Sequence, residues 1–270
     1  MTVGQFLHAA SQQLLAAGIT TPRLDTLVLM EDQLHKDRAY ILAHPEALIT
    51  SEDKDVLITC LRQRTQHMPL AYIRGKSEFY GREFIITTAV LQPRPESETM
   101  IELLLTLDLP TRPRIVDVGT GSGALGITAQ LELPDATVEL LDIDQGAIEV
   151  AKLNVVIHTL SIPVIRSDLL KQAAQNYDIL LCNLPYVPDE FHINTAALHE
   201  PKIALFGGPD GLDIYRALFA DIHISQHKPL YILTEALPPQ HEGLRSIAEM
   251  CNYRQQISED FIQVFTLQSD

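Results

Sequence analysis

The segment Asn183-Leu184-Pro185-Tyr186 holds residue types that could do chemistry, and that chemistry is the alkylation of a weakly nucleophilic nitrogen. An amide or aniline-like nitrogen has a delocalised lone pair. Two carbonyl oxygens accepting its N–H bonds would orient it so that the lone pair points at an incoming methyl group. Asn183 can supply one oxygen from its side chain and Leu184 another from its main chain. Pro185 stiffens the turn, and Tyr186 offers a flat face for stacking a planar amide or base. No metal or covalent intermediate is required, because alignment for in-line transfer does most of the work. The same four residues could also be a plain strand-ending turn.

A second motif, Asp117-Val118-Gly119-Thr120-Gly121-Ser122-Gly123, lies where an apolar run gives way to a helical pattern. Glycines permit a sharp turn and bring bare main chain against a ligand, beside the free N–H groups of a helix start. Asp142 stands 23 residues beyond Gly119, at the end of the next strand, where a carboxylate can accept both hydroxyls of a ribose. These residues describe a nucleoside-binding site. Because Gly119, Gly121 and Ala124 also satisfy Gly-x-Gly-x-x-Ala, the turn alone leaves a dinucleotide open. Asp117 and Asp168 point toward S-adenosylmethionine: one could meet the cationic methionine end, the other the adenine amino group.

The elements that must position these groups can be read from periodicity. Residues 1–75 alternate helical patterns with breaks at Gly18, Pro22 and Pro69, which predicts a small helical bundle with a packing or docking role. Residues 76–95 contain the β-prone stretch Glu78–Thr88 and read as a hairpin linker. From residue 96 a helix at Ser97–Leu107 precedes alternating strands and helices: strands at Arg114–Val118, Thr137–Asp142, Ile162–Arg166, Tyr177–Cys182 and Leu230–Leu233, with helices at Ala124–Leu133 and Gln145–Val156. That alternation predicts a mostly parallel, doubly wound α/β sheet. A closing hairpin, Tyr253–Ile257 and Phe261–Leu267, ends the chain.

Composition narrows the function. Residues 1–75 carry 7 Lys+Arg and 8 Asp+Glu, a net of −1, so residues 76–270 carry the remaining −14 of the total −15. So acidic a surface disfavours phosphate backbones and shifts the balance toward a protein or small-molecule substrate. Cys60, Cys182 and Cys251 are dispersed and odd in number, which fits a reducing compartment. The start Met-Thr-Val-Gly-Gln lacks a signal-peptide pattern, and no apolar run reaches the ~20 residues of a membrane span. A cytoplasmic protein is expected. His223 and His227 share a helix spacing but have no acidic or Cys partner nearby, so no metal site is expected.

Taken together, these motifs resemble the peptide chain release factor N(5)-glutamine methyltransferases, the PrmC/HemK family. The resemblance spans most of the chain: Pro69-Leu-Ala-Tyr-Ile73, Glu78-Phe-Tyr-Gly81, Pro93-Arg-Pro-Glu96, the glycine turn, Glu200 to Gly208 and Asp210-Gly-Leu-Asp213 stand in the family's order. It implies a seven-stranded Rossmann-like S-adenosylmethionine-dependent methyltransferase domain preceded by a small helical bundle. It implies class-1 release factors as partners, with methylation of the glutamine in their Gly-Gly-Gln loop and no direct nucleic-acid binding. Asn183, Leu184, Pro185 and Tyr186 would hold that glutamine, and Gly119–Gly123, Asp142 and Asn183 would contact the cofactor. Two features depart from the family pattern. Leu184 stands where the family usually has proline, and Leu233-Thr-Glu235-Ala stands where it tends to have Leu-Glu-Ile-Gly. A glutamine on a ribosomal protein, an adenine amino group, or a regulator that binds cofactor without catalysis are the competing readings.

Overall fold

A seven-stranded sheet carries the larger of two compact units in the computed structural model, which describes residues 1–173, 176–193 and 195–268. The first unit is Met1–Gly75 with a later stretch ending at His199; the second is Lys76–Ile193 with the chain from Glu200 onward.

In the first unit the helices are α1 (Val3–Ala16), α2 (Pro22–Leu34), α3 (Arg38–Ala43), α4 (Ser51–Thr65) and α5 (Leu70–Arg74). Local chemistry sets their starts. Thr2 and Gln5 form a reciprocal capping box on α1, Pro22 opens α2, and the Thr50 side chain caps α4. Their inward faces share one apolar core that includes Phe6, Leu14, Met30 and Leu57. Buried Asp25 accepts from Arg64 Nε at 2.7 Å, which ties α2 to α4.

The second unit opens with the antiparallel hairpin β1 (Lys76–Phe79) and β2 (Arg82–Ile85). Phe79 and Phe84 are buried in that unit's core, so the hairpin is packed against the sheet domain. Then follow α6 (Glu98–Thr106), β3 (Arg114–Val118), α7 (Ala124–Glu132), β4 (Thr137–Asp142), α8 (Gln145–Ile157), β5 (Val164–Arg166), β6 (Ile179–Cys182), α9 (Asp213–Ile224), β7 (Tyr231–Glu235), α10 (His241–Glu249), β8 (Tyr253–Glu259) and β9 (Ile262–Leu267). The strand order is β5-β4-β3-β6-β7-β9-β8, with β3 to β7 parallel and β9 antiparallel. The mostly parallel, doubly wound α/β sheet is the one that the alternation predicts, and its seven strands are the number that the family resemblance implies. Apolar residues cover both faces: Ile127, Leu140 and Leu181 lie in one layer, Val116, Leu180 and Phe219 in the other. Helices α9 and α10 have no counterpart in the sequence reading. Among the described residues no helix is long and apolar enough to cross a membrane.

One buried side chain ties two strand ends together. The Tyr215 hydroxyl of α9 lies 2.9 Å from the Cys182 carbonyl and 2.6 Å from the Glu235 carbonyl, and it accepts from the Glu235 N–H at 3.2 Å. Tyr215→Phe leaves those carbonyls short of a donor, and chemical denaturation should show a loss of about 1–3 kcal/mol. An unchanged midpoint and slope would contradict this pinning role.

Candidate active site

Register decides which residues meet. Val118 pairs with Leu141 on one side and Cys182 on the other, and Cys182 pairs with Thr234. The next residues, Asp142, Gly119, Asn183 and Glu235, therefore form a row along the carboxyl ends of four neighbouring parallel strands. The strand order reverses direction between β3 and β6, the point at which open α/β sheets bind ligands.

A cavity of about 350 Å³ opens over that row. Val118 to Ser122, Asp142, Asp168, Asn183, Leu184 and Pro185 line it, with Leu91, Ile143 and Leu169 among its apolar walls. Apolar walls with carboxylates at their rim suit a flat, nitrogen-rich ring joined to a polyhydroxyl sugar. Asp142 is held by the turn itself: its Oδ2 accepts from Gly121 N–H at 2.9 Å and its Oδ1 from Asp144 N–H at 2.9 Å. Each oxygen keeps acceptor capacity for a ligand hydroxyl. Burial raises the Asp142 carboxyl, and those two backbone bonds oppose the rise. Asp168 also lines the cavity; it is half-buried and paired with Lys171 at 2.5 Å.

Gly119 has φ of 73°, and a Cβ there would lie 2.8 Å from Leu184 Cδ2. The leucine that replaces the family's proline thus fills the space above this glycine, and the two motifs fit each other. Asp117 stands two residues before Gly119, near the end of β3. Its carboxylate turns beneath the turn, where Oδ2 accepts from Thr120 Oγ1 at 2.6 Å and Gly126 N–H at 2.9 Å, and it is absent from the cavity wall. Burial pushes its carboxyl up to about 6. Gly123 starts α7 with φ of 84° and likewise lies behind the wall. Buried Asn154 of α8, which sequence reading passed over, ties this turn to the hairpin. Its Nδ2 donates to the carbonyls of Ser122 and Ile85, at 2.8 and 2.9 Å.

At the tip of β6 the Asn183 Nδ2 donates to Ser97 Oγ at 2.9 Å and to Glu235 Oε2 at 3.0 Å. Among the described residues no protein donor reaches Asn183 Oδ1 or the Leu184 carbonyl oxygen. Tyr186 Oη donates to Glu235 Oε1 at 2.9 Å, and burial together with that carboxylate pushes the phenol up. Tyr186 is half-buried and stands just outside the cavity wall. The backbone after Asn183 is clamped from outside: Val187 N–H donates to Leu205 O, Gly207 N–H donates to Val187 O, and Gln240 Nε2 donates to Tyr186 O at 2.7 Å. A Cβ on Gly211 would come within 2.0 Å of Tyr186 O, so the Asp210-Gly-Leu-Asp213 motif is needed for close backbone approach. Arg94, on the cavity wall, pairs with buried Glu200 through Nη2 at 2.6 and 2.7 Å, not with neighbouring Glu96. Pairing of Arg94 and Glu200, 106 positions apart, has no local sequence signal.

Comparison with known proteins shows what the chain is similar to. Residues 5–75 match the family described as "PrmC N-terminal domain", and residues 97–200 match "Methyltransferase small domain". A release factor glutamine methyltransferase from Koribacter versatilis is 35% identical over 225 residues, which cover 81% of this chain and 80% of the relative. One from Coxiella burnetii is 32% identical over 248 residues, covering 91% and 89%. A bifunctional methyltransferase from Rickettsia bellii is 32% identical over 251 residues, covering 80% of this chain but only 45% of that longer relative. Among solved structures, the hMettl16 catalytic domain in complex with MAT2A 3′UTR hairpin 6 aligns with a TM-score of 0.57 at 15% identity, covering 82% of this chain and 83% of that one. A methyltransferase from Pyrococcus furiosus aligns at 0.53 with 13% identity, covering 80% and 98%. Those two likenesses concern the fold alone.

The Asp117 carboxyl makes stability depend on pH. Its folded-state value of about 6 lies above the ordinary 3.8, so the folded chain holds the proton more tightly and ionisation costs stability as pH rises. Asp117→Asn cannot ionise. The stability difference between variant and wild type should move toward the variant by roughly 2 kcal/mol between pH 4 and pH 7. A difference independent of pH would contradict the buried placement.

Proposed function

We propose that this chain, which belongs to the family of release factor glutamine methyltransferases and is an S-adenosylmethionine-dependent methyltransferase, methylates the side-chain amide nitrogen of the glutamine in the Gly-Gly-Gln loop of a class-1 peptide chain release factor. The observation that carries this reading is the pair of undonated oxygens, Asn183 Oδ1 and Leu184 O, at the edge of a nucleoside-sized cavity. A glutamine NH2 has two N–H bonds and needs two acceptors. Gripped by both, it would turn its remaining lobe toward the cavity, where a bound S-adenosylmethionine would supply a methyl group from its cationic sulfur. The S–C bond would break as the N–C bond forms, leaving S-adenosylhomocysteine, and the nitrogen would give up one proton to solvent. Asn183, Leu184 and Pro185 orient the nitrogen, and Tyr186 borders the planar amide. Asp142 takes the ribose hydroxyls, Asp168 the adenine edge, and residues Gly119 to Ser122 present main chain to the remainder. Asp117 and Gly123 serve by holding that turn in shape.

Residues 1–75 would dock the release factor. The net charge of −14 on residues 76–270 supports a protein substrate over nucleic acid, and a cytoplasmic location follows from the substrate. The protein should be incubated with isotopically labelled S-adenosylmethionine, a class-1 release factor, ribosomal proteins and DNA, and the label then located by mass spectrometry. Label on the Gly-Gly-Gln glutamine is expected; label on nucleic acid or a ribosomal protein instead would overturn the assignment.

Two substitutions divide the roles. Asn183→Ala removes one of the two acceptors and should lower kcat roughly five- to hundredfold, equivalent to ~1–3 kcal/mol. Near-wild-type turnover would sink that role. Asp142→Ala should weaken cofactor binding by roughly ten- to hundredfold, measured by calorimetry, since two hydrogen bonds to a charged acceptor are lost. An unchanged dissociation constant would remove the ribose assignment.

A further inference from the structure

Glu235 ends β7 beside Asn183 and is 2% exposed. Three donors converge on its carboxylate: Ser97 Oγ at 2.6 Å, Asn183 Nδ2 at 3.0 Å and Tyr186 Oη at 2.9 Å. Its main chain is fixed as well, through the Tyr215 hydroxyl and the pairing of β7 with β6 and β9. Among the described residues no cation bonds to it, so its interactions are those of an acceptor aimed at neutral donors.

We propose that Glu235 is a positioning residue that sets substrate choice: by accepting from the Asn183 NH2 it forces Asn183 Oδ1 toward the cavity, and so makes the site select an NH2 group over an acceptor such as a carboxylate. This rests on the glutamine reading given above. The physical reason is the inventory of donors and acceptors. A side-chain amide has two nearly isosteric ends, one donating and one accepting, and only its surroundings decide which faces where. An ionised carboxylate accepts and cannot donate, so the Asn183 oxygen cannot face it without repulsion. Ser97 completes the lock: its hydroxyl hydrogen is committed to Glu235 Oε2, which leaves its oxygen to accept from the same Asn183 NH2. A flipped amide would set its NH2 against the NH2 of the substrate, two donors with nothing between them. Tyr186, held by the other carboxylate oxygen, is fixed by the same group.

The interaction also accounts for the Leu233-Thr-Glu235-Ala stretch. Sequence alone shows an acidic residue at the end of an apolar strand; register with β6 places it against the tip that carries Asn183. Burial raises the Glu235 carboxyl, while its bonds from Ser97, Tyr186 and Asn183 favour the charged form.

The test is Glu235→Gln, which keeps the shape but adds a competing NH2 that can donate to Asn183 Oδ1 and release the flip. Three quantities are compared with wild type: kcat on the intact release factor, the Kd for S-adenosylhomocysteine, and the affinity for a release factor carrying glutamate in place of the target glutamine. The inference expects kcat to fall about tenfold or more and cofactor Kd to stay within about twofold, while discrimination against glutamate shrinks by about tenfold, the scale of one buried hydrogen bond. Ser97→Ala, which leaves the carboxylate in place, should shift the same two substrate readouts in the same direction by about threefold and keeps the inference testable if Glu235→Gln does not fold. Unchanged discrimination in the folded variants overturns the inference, whether or not kcat falls, because a merely structural role lowers activity without altering choice. A wild-type protein that leaves the release factor unlabelled overturns the glutamine reading itself and this inference with it.

Discussion

Four parallel strand ends in register are the constraint on which the site depends. Pairing of β4, β3, β6 and β7 sets Asp142, Gly119, Asn183 and Glu235 side by side, although they span more than a hundred positions of sequence. Strand pairing permits no gradual adjustment, since a slip by one residue turns each side chain to the opposite face. The apolar runs of these strands, buried on both faces, therefore position the chemistry as well as forming the core.

Most polar atoms around the site serve one another before they can serve a ligand. Asp117 holds Thr120 and Gly126, Asn154 holds Ser122, Arg94 holds Glu200, and Gln240 holds Tyr186 O. Each satisfies a group whose burial without a partner would cost about 1–3 kcal/mol. Among the described residues, Asn183 Oδ1 and the Leu184 carbonyl at the β6 tip receive no protein donor, and Asp142 keeps spare acceptor capacity beside them. That contrast between satisfied scaffold and unsatisfied edge is what makes the site readable as chemistry. Leu184 belongs to the scaffold through its side chain and to the edge through its carbonyl, so a residue that departs from the family pattern serves both roles.

The sequence made the strands and the chemical motifs legible because both are local. The strands Arg114–Val118 and Thr137–Asp142 are mainly apolar, each interrupted by one acidic residue, Asp117 or Glu139, and closed by Gly119 or Asp142, and their bounds match the reading. Asn183 to Tyr186 stood out because unusual residue types follow a buried strand. Helix α9 was equally legible, since Tyr215, Leu218, Phe219 and Ile222 have the i, i+3, i+4, i+7 spacing of an amphipathic helix, whereas α10 buries only Leu244 and Ala248 and follows Pro238 and Pro239. Asp117 was read by type as a cofactor ligand; whether a carboxylate before a glycine turn points outward or beneath depends on the Gly126 N–H, which only the folded turn brings to it. Ser97, Glu200 and Glu235 act through partners 49 to 138 positions away, and no local pattern marks such pairs.

The most direct measurement is a crystal structure of the protein with S-adenosylhomocysteine and a release factor bearing its Gly-Gly-Gln loop. The account predicts the glutamine Nε2 within about 3.2 Å of both Asn183 Oδ1 and the Leu184 carbonyl. A glutamine seated elsewhere, or an Asn183 oxygen turned toward Ser97, would contradict it.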